Sequence, residues 1–404
     1  MMLAVLRDRR FAALFAAQVS SLVATGLLTV ALALVAVRLD PVAAAGIIGT
    51  ALTIRIAVYV VVSPIASALL AGRSSRVVLV SADLVRLVVA GALVLSTAPW
   101  QLYLGIVLLQ TASAVFTPTY QAIIPRVLPD ERDYTAAQSL SRLAYDLESL
   151  LSPPLAALLV LVLPPEALFG VVAAGFLGSA LAVLLARVHD RVGSTAEPVR
   201  LRLLRGLGVL ARTPGPRFAA VLDAATATIY ATVLVSSIVL LIDAGADPAD
   251  PSAALAAVLV AFGLGSIAVA LALPALLRRL RDTTVMLIGA GLAAVALAVT
   301  AGAALLGGLS LLGIGVLWAV LGASSSAIST PSARLIRAEV AADQHAAVFA
   351  ARFSTSHAWY AITYPVAGVL GTLAPSGVAT AALATIALLA VGAAALMAPP
   401  RSRD

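Results

Sequence analysis

The sequence predicts an all-α membrane protein with twelve transmembrane helices in two parallel six-helix halves. Three observations support this: the composition, the number of long apolar runs, and a basic segment between the sixth and seventh runs. Of 404 residues, 62% are hydrophobic and 11% are charged, and the mean hydropathy is +1.07. A soluble domain carries charge on about a quarter of its residues. The chain therefore has too little polar material to cover a surface facing water, which excludes a soluble globular enzyme, a disordered protein and a coiled coil.

The apolar runs are long enough to cross a bilayer. A helix needs about 20 apolar residues to do so, and twelve such runs follow one another along the chain. The first is too long for a cleaved signal sequence, so it is expected to remain as the first helix. The predicted spans are 12–37, 43–70, 77–97, 102–123, 135–162, 168–186, 218–242, 253–276, 285–306, 309–329, 348–373 and 378–398.

The longest connection lies between spans six and seven. Its residues, 187–217, are rich in Gly, Pro and Arg, and 199–212 have the pattern of a short amphipathic helix. The chain is therefore predicted to divide into an N-terminal six-helix bundle (1–186), a cytoplasmic linker (187–217) and a C-terminal six-helix bundle (218–404).

The basic residues predict the orientation. All 26 are arginines, and 21 of them lie in segments that are cytoplasmic if both termini are inside. The outer loops hold only Arg38, and four arginines lie within spans. Because basic residues concentrate on the cytoplasmic side, we expect a multi-pass protein of the cytoplasmic membrane with both termini inside. The excess of arginine on the cytoplasmic side then faces anionic lipid, which argues against nucleic acid as a partner.

An internal repeat relates the two halves. Thr117-Pro118 is predicted to end span four and Thr330-Pro331 to end span ten. Asp130 and Asp343 follow at the same offset as the two prolines. A repeat with an even number of spans keeps its orientation, so the two halves are expected to be related by an axis along the membrane normal.

The twelve spans, the six-plus-six layout and the basic central segment resemble the major facilitator superfamily. Residues 16–40, 116–159 and 349–371 resemble its macrolide-efflux-like, drug:proton antiporter branch. The resemblance implies a secondary active transporter that works by alternating access and exports hydrophobic or amphipathic small molecules in exchange for protons. We accordingly expect a small-molecule substrate, a monomer in the lipid bilayer, no cofactor and no metal, with the proton gradient as the energy source.

The loop after span two departs from this family. Ser67 stands where the family has a glycine and Ala71 where it has an aspartate, while Arg73 and Arg76 keep the basic part of this gating loop. In the family the loop latches the halves in the outward-facing state, so loss of the aspartate predicts a weakened latch. A uniporter or uptake permease of the same fold therefore remains an alternative, as does a membrane sensor that no longer transports.

Charges inside the spans are candidates for mechanism, because an ionisable group in the bilayer is costly and normally pairs or lines a water-filled path. Asp83 and Arg86, three apart on span three, share a helix face and predict a structural ion pair. Asp223 on span seven and Arg352 on span eleven are likewise candidates for a structural network of charged side chains. Asp223 is expected to accept from a linker arginine or from Arg352.

Span five carries the strongest functional candidates. Arg142 and Asp146 are four apart and can pair, whereas Glu148 points to another face near mid-span. An apolar environment favours the protonated carboxyl, so Glu148 is a candidate for proton coupling; the alternative is a neutralising contact with Arg55. Arg55, a permanent charge on span two, needs a carboxylate or a water-filled cavity. We predict Asp146 or Glu148 as its partner.

His357 is the histidine that falls within a predicted span. It titrates near physiological pH and is a candidate proton carrier; the alternative is a packing residue beside Trp359 and Tyr360. The Gly-x-Gly motifs at 263–265, 289–291 and 313–315 follow no predicted strand, so we interpret them as helix-packing surfaces and not as nucleotide sites.

Nothing in the sequence favours an enzyme. It has no HExxH motif, no Walker sequence and no Ser/His/Asp constellation, and the chain has three histidines and no cysteine. Catalytic residues are therefore not predicted.

Overall fold

The structure is a computed structural model that describes residues 2–39, 44–160, 162–164, 166–188, 199–247 and 251–397. Within these ranges the regular structure is helical throughout. The linker residues 189–198, together with Asp40 and Asp250, lie outside the described ranges.

The first six predicted spans correspond to helices close to their expected limits. After a short 3₁₀ helix at Met2–Arg7, the helices are α1 Arg9–Leu39, α2 Ala44–Leu70, α3 Ser75–Leu93, α4 Pro99–Val127, α5 Glu131–Val160 and α6 Ala167–Ala186.

The remaining helices begin with α7 at Val199–Arg212, which confirms the predicted linker helix at the same residues. The predicted seventh span consists of α8 Pro214–Ala231, a π-helical turn at Thr232–Ser236, and α9 Ser237–Asp243. The others are α10 Ser252–Leu276, α11 Asp282–Leu305, α12 Leu311–Glu339, α13 His345–Leu373 and α14 Ser376–Met397.

Nine helical segments in the described part of the chain are long and apolar enough to cross a membrane. The helices α3, α5 and α13 are not among them. These three carry seven of the nine charged or histidine residues singled out within the spans, because the polar residues that suggest function also lower the hydropathy of the helix. The predicted number of twelve crossings stays a prediction for these three helices.

Two predicted helix ends were wrong. Helix α4 continues through Pro118 to Val127, and α12 continues through Pro331 to Glu339. Thr117-Pro118 and Thr330-Pro331 therefore do not end their spans, and span ten extends well beyond the predicted residue 329. Both prolines are buried. Membrane helices tolerate a proline where neighbouring groups compensate for the lost backbone hydrogen bond.

The chain separates into two compact units. The first comprises Met1–Ala137, Ala144–Gly208 and Ala341–Ser354. The second comprises Gln138–Leu143, Val209–Val340 and Thr355–Asp404. A short piece of α5 thus belongs to the second unit and the beginning of α13 to the first. The predicted division into bundles at 1–186 and 218–404 stays a prediction.

The core of the first unit brings α1 and α6 together. A Cβ at Gly175 of α6 would lie 2.8 Å from the Cβ of Ala24 on α1, and the Ser20 hydroxyl donates to the Gly175 carbonyl at 2.7 Å. Small residues let the two backbones approach closely in the absence of large side chains. Phe169 and Phe176 of α6 are buried in the same core.

In the second unit, α10 packs on α12 through glycines. A Cβ at Gly265 would lie 1.9 Å from the Ala319 carbonyl oxygen, and one at Gly322 would lie 1.9 Å from that of Phe262. These distances leave no room for a side chain, which confirms the packing role predicted for the motif at 263–265. Nearby, the fully buried Trp318 donates from its indole nitrogen to the Ser237 hydroxyl at 3.0 Å.

The motif at 313–315 was interpreted wrongly. A Cβ at Gly315 would meet nothing within 4 Å, and one at Gly313 would meet only the hydroxyl of Ser310, at 3.0 Å. Gly313 lies in the first turn of α12, where its backbone N–H donates to the Ser310 hydroxyl at 3.1 Å. This glycine therefore belongs to a helix cap. At 289–291 the two glycines differ: a Cβ on Gly289 would lie 2.7 Å from that of Ala327 on α12, as helix packing requires, whereas a Cβ on Gly291 would meet nothing within 4 Å.

Candidate functional site

Asp83 and Arg86 form the predicted ion pair on α3, with Nη2 of the arginine on Oδ1 of the aspartate. Their exposed fractions are 0% and 2%. The Ser179 hydroxyl of α6 donates to Asp83 Oδ2 at 2.7 Å, and Arg86 Nη1 donates to the Ser21 hydroxyl of α1 at 2.9 Å. Both members of the pair are thus held by neighbouring helices of the first unit.

Aromatic rings enclose the same arginine. The Arg86 guanidinium carbon lies 4.3 Å from the ring centroid of Phe116 on α4 and 4.6 Å from that of Phe176 on α6. Cations are stabilised at such distances over an aromatic face. With side chains of three neighbouring helices around it and almost no exposure, the pair has the geometry of a structural ion pair.

Glu148 of α5 lies directly against α1. Its Oε1 accepts a long hydrogen bond, 3.4 Å, from the Ser152 hydroxyl one turn further along. A Cβ at Gly26 of α1 would lie 2.3 Å from that oxygen. A Cβ at this point of α1 would therefore require the Glu148 carboxyl group and the Ser152 side chain to shift. Sequence reasoning missed Gly26, since its importance depends on which helix packs against it.

Arg55 of α2 is close enough to the Glu148 carboxylate for an electrostatic interaction, and their predicted pairing stays a prediction. Pairing between Arg55 and Asp146, which is buried, stays a prediction. The Arg55 guanidinium carbon lies 5.6 Å from the ring centroid of Tyr59, and the Tyr59 hydroxyl donates to Gln110 Oε1 at 2.6 Å. A chain of polar side chains thus runs from α5 through α2 to α4 inside the first unit.

A cleft in the first unit adjoins this chain. It is lined by residues of α1, α2 and α4, and its empty space of about 490 Å³ includes the part open to the surroundings. Nine of the twelve lining residues are apolar, and Arg55 is the charged one among them. Gln110 also lines the cleft. The sequence contains no signal for this cleft because its residues are distant in the chain.

Arg142 of α5 belongs to the second unit, where three hydroxyl groups surround it. Its Nε donates to Ser266 of α10 at 3.1 Å. Its Nη2 donates to Tyr230 of α8 at 3.0 Å and to Ser325 of α12 at 3.2 Å. The predicted pair with Asp146 stays a prediction. Sequence reasoning missed Tyr230, although a phenol in an otherwise apolar span was an available signal.

An aromatic cluster extends from Tyr230. Its ring centroid lies 6.1 Å from that of Tyr360 on α13, which in turn lies 5.5 Å from Tyr364 and 5.3 Å from His357. Nδ1 of His357 lies 3.4 Å from the Ser356 hydroxyl. This environment agrees with the packing alternative for His357; a role in proton transfer stays a prediction.

The remaining acidic candidate, Asp223 of α8, is buried in the second unit. Both Asp223 and Arg142 interact electrostatically with the Tyr360 hydroxyl, so the aromatic cluster has one charge of each sign beside it. Arg352 belongs to the first unit. Its predicted pairing with Asp223, and that of Asp223 with the linker arginines, stay predictions.

The two arginines of the predicted gating loop differ. Arg73 is exposed, and it follows Gly72, whose φ of 84° lies in the left-handed region that favours glycine. Arg76, in the first turn of α3, donates from Nη2 to the Leu184 carbonyl at 3.2 Å. Leu184 lies in the last turn of α6, where a cation compensates the free carbonyl groups. Arg76 thus caps α6 within the first unit.

Comparison with known proteins identifies the relatives of the chain. A family model described as Major Facilitator Superfamily matches residues 14–320, well over half of the chain. No curated protein matches the sequence.

Solved structures share the fold at low sequence identity. The human organic anion transporter MFSD10 (TETRAN) superposes with a TM-score of 0.75 at 16% identity, over 96% of this chain and 99% of that one. The E. coli fucose:proton symporter FucP gives 0.71 at 13%, over 96% and 98%. A bacterial homologue of the iron transporter ferroportin in the outward-facing state gives 0.73 at 16%, over 96% and 98%. At such identities the likeness shows the fold alone.

Proposed function

The chain belongs to the major facilitator superfamily, whose members are transporters of small molecules, and on that premise we propose that it is a proton-coupled exporter of hydrophobic or amphipathic compounds. It is a multi-pass membrane protein of this family. We place it in the cytoplasmic membrane as a monomer with both termini inside, working by alternating access with the proton gradient as its energy source.

The proposal depends on one observation, the interaction of Glu148 with Arg55. A carboxylate beside a permanent cation inside membrane helices has two states of different charge. When ionised it is attracted to Arg55, and when protonated it loses that attraction. A coupling site requires such a group, whose partner changes as it gains or loses a proton. Gly26 supports this role, because it lets α1 follow the position of the carboxyl group closely.

The apolar cleft supports the proposed substrate class. Leu28, Leu32, Ile47, Ile48, Leu102 and Ile106 are among its lining residues. Binding sites for small molecules are mostly apolar with a few polar groups that fix orientation. A hydrophobic or amphipathic compound fits such a lining better than a sugar, which needs many hydrogen-bonding partners.

Flux measurements test the proposal. Proteoliposomes containing the protein are loaded with a fluorescent hydrophobic dye, and an imposed pH gradient should drive dye movement that an uncoupler abolishes. Glu148→Gln should remove the dependence on the gradient. The matched control is Glu166→Gln, since Glu166 pairs with Arg38 at 2.6 Å at the start of α6, and it should keep gradient-driven flux. Absence of flux for every compound tested, as in a transport-dead sensor, would contradict the proposal.

A second candidate is a uniporter or uptake permease of the same fold. The observation that favours it is Ala71, which stands where the family loop has its aspartate, beside an Arg76 that caps α6. Flux in proteoliposomes that does not respond to the pH gradient would favour this candidate over the exporter.

A further inference from the structure

Three polar side chains line the otherwise apolar cleft of the first unit: Arg55, Gln110 and Thr29, whose hydroxyl donates to the Thr25 carbonyl at 3.3 Å. Arg55 carries the positive charge, and the carboxylate with which it interacts, Glu148, is not among the lining residues. Any ligand in the cleft therefore meets the cation and not the acid.

Gln110 adds a second donor. Its side-chain oxygen accepts the hydrogen bond from Tyr59 at 2.6 Å, which leaves the NH₂ group of the amide as a donor. The cleft thus combines a guanidinium and an amide NH₂ with walls of leucine, isoleucine and alanine.

From this combination we propose that the cleft binds an amphipathic acid, with its apolar part between α1, α2 and α4 and its carboxylate on Arg55. A guanidinium has five N–H donors in a fixed fork that matches the two oxygens of a carboxylate. Arg55 can therefore bind the acid of a ligand while it also interacts with Glu148.

A neutral or cationic amphiphile fits less well. A cationic head would face Arg55 directly, and a hydroxyl offers one acceptor oxygen where a carboxylate offers two charged ones. The acid also brings a negative charge to the guanidinium and can accept two parallel N–H···O bonds from it, which a single hydroxyl group cannot. The cleft should therefore distinguish amphipathic ligands by the charge of their head group. This inference narrows the substrate class of the proposed transporter.

Equilibrium binding tests the inference with three probes that share one ring system: naphthylacetic acid, naphthylethanol and naphthylethylamine. The full-length protein is placed in nanodiscs of zwitterionic lipid, and empty nanodiscs provide the background partitioning. The acid should bind about tenfold more tightly than the alcohol, a difference of about 1.4 kcal/mol, and the amine should bind most weakly.

Substitutions test whether Arg55 is the residue that distinguishes the acid from the alcohol. Arg55→Gln should bring the affinity for the acid to that for the alcohol, whereas Arg55→Lys should keep part of the preference. The control Arg38→Gln removes an arginine of α1 that pairs with Glu166 and should keep the full preference. Ile106→Trp, which fills the cleft, should weaken the binding of all three probes.

Two results would overturn the inference. The first is equal affinity for acid and alcohol in the unsubstituted protein, which is expected if bilayer lipid fills the cleft. The second is a preference for the acid that remains in Arg55→Gln when the thermal unfolding of this variant is unchanged. Because binding is measured without a gradient, the outcome is independent of whether the protein exports or couples to protons. Loss of gradient-driven flux in the vesicle experiment would contradict the proposed function and leave the binding result unaffected.

Discussion

Gly26 of α1 lies against Glu148 of α5 so closely that a Cβ on residue 26 would come 2.3 Å from the carboxylate oxygen Oε1. It would also come 1.9 Å from the hydroxyl oxygen of Ser152. Any other residue at position 26 must displace the carboxyl group or move α1 away from α5. The position of the Glu148 carboxyl group, the proposed coupling group, thus depends on Gly26, a residue without a functional side chain.

Gly26→Ala is therefore expected to lower gradient-driven flux by about tenfold or more, since a misplacement of about 1 Å at a reacting group has effects of this size. The measurement is dye flux in proteoliposomes, with protein content matched. Gly91→Ala on α3 is the control, because a Cβ there would meet nothing within 4 Å. Unchanged flux in Gly26→Ala would show that the carboxyl position is not critical.

The buried ion pair on α3 predicts a large stability effect. Asp83→Asn and Arg86→Gln each leave one charge without its partner, and removal of one member of a buried pair costs about 3–5 kcal/mol. The unfolding midpoint in detergent should fall clearly for both single variants. The double variant Asp83→Leu/Arg86→Met should be more stable than either, because no isolated charge remains.

The exposed Arg73→Gln provides the control for this pair and should leave the midpoint unchanged. A single variant at Asp83 or Arg86 with the stability of the unsubstituted protein would contradict a structural role for the pair.

Arg142 and Tyr230 should be energetically coupled. Their hydrogen bond of 3.0 Å has a charged donor, and such bonds contribute about 1.5–3 kcal/mol. A double-mutant cycle with Arg142→Gln and Tyr230→Phe, measured by denaturant unfolding in detergent, should give a coupling energy near the lower end of that range because Arg142 is half-buried. Additive effects of the two substitutions would show that the hydrogen bond contributes nothing to stability.

The glycine contact between α10 and α12 predicts a difference between two similar substitutions. Gly265→Val should lower the unfolding midpoint strongly, because even a Cβ would overlap the Ala319 carbonyl oxygen at 1.9 Å. Gly315→Val on α12 should have a small effect, because nothing lies within 4 Å of its Cβ position. Equal loss of stability in both variants would exclude close packing as the reason for Gly265.

Much of the helical framework could be predicted because it depends on local patterns. The limits of most helices agree with the apolar runs to within a few residues, and the linker helix at 199–212 was predicted at its observed residues. The ends of α4 and α12 were not, because Pro118 and Pro331 are tolerated inside helices only through their packed surroundings. The i, i+3 pair of Asp83 and Arg86 was predicted for the same local reason, since a helix brings such residues together without help from the rest of the fold.

The site was predicted in part. The expectation that Arg55 has Asp146 or Glu148 as its partner followed from the cost of isolated charges in a membrane, and it stays a prediction. Gly26, Tyr230 and the hydroxyls around Arg142 were missed. Each of these residues acquires its role from a helix that is distant in the chain, and periodicity within one helix contains no information about that neighbour.

By itself, the sequence determined that this protein belongs in a bilayer, where most of its helices lie, and which few charges need partners. These properties follow from hydropathy and helical spacing, which are local. The tertiary structure alone decided that α1 approaches Glu148 at a glycine and that Arg142 lies among hydroxyl groups. These contacts depend on the packing of helices that are far apart in the sequence. Small side chains allow particular helices to approach each other closely, and this determines which helices become neighbours.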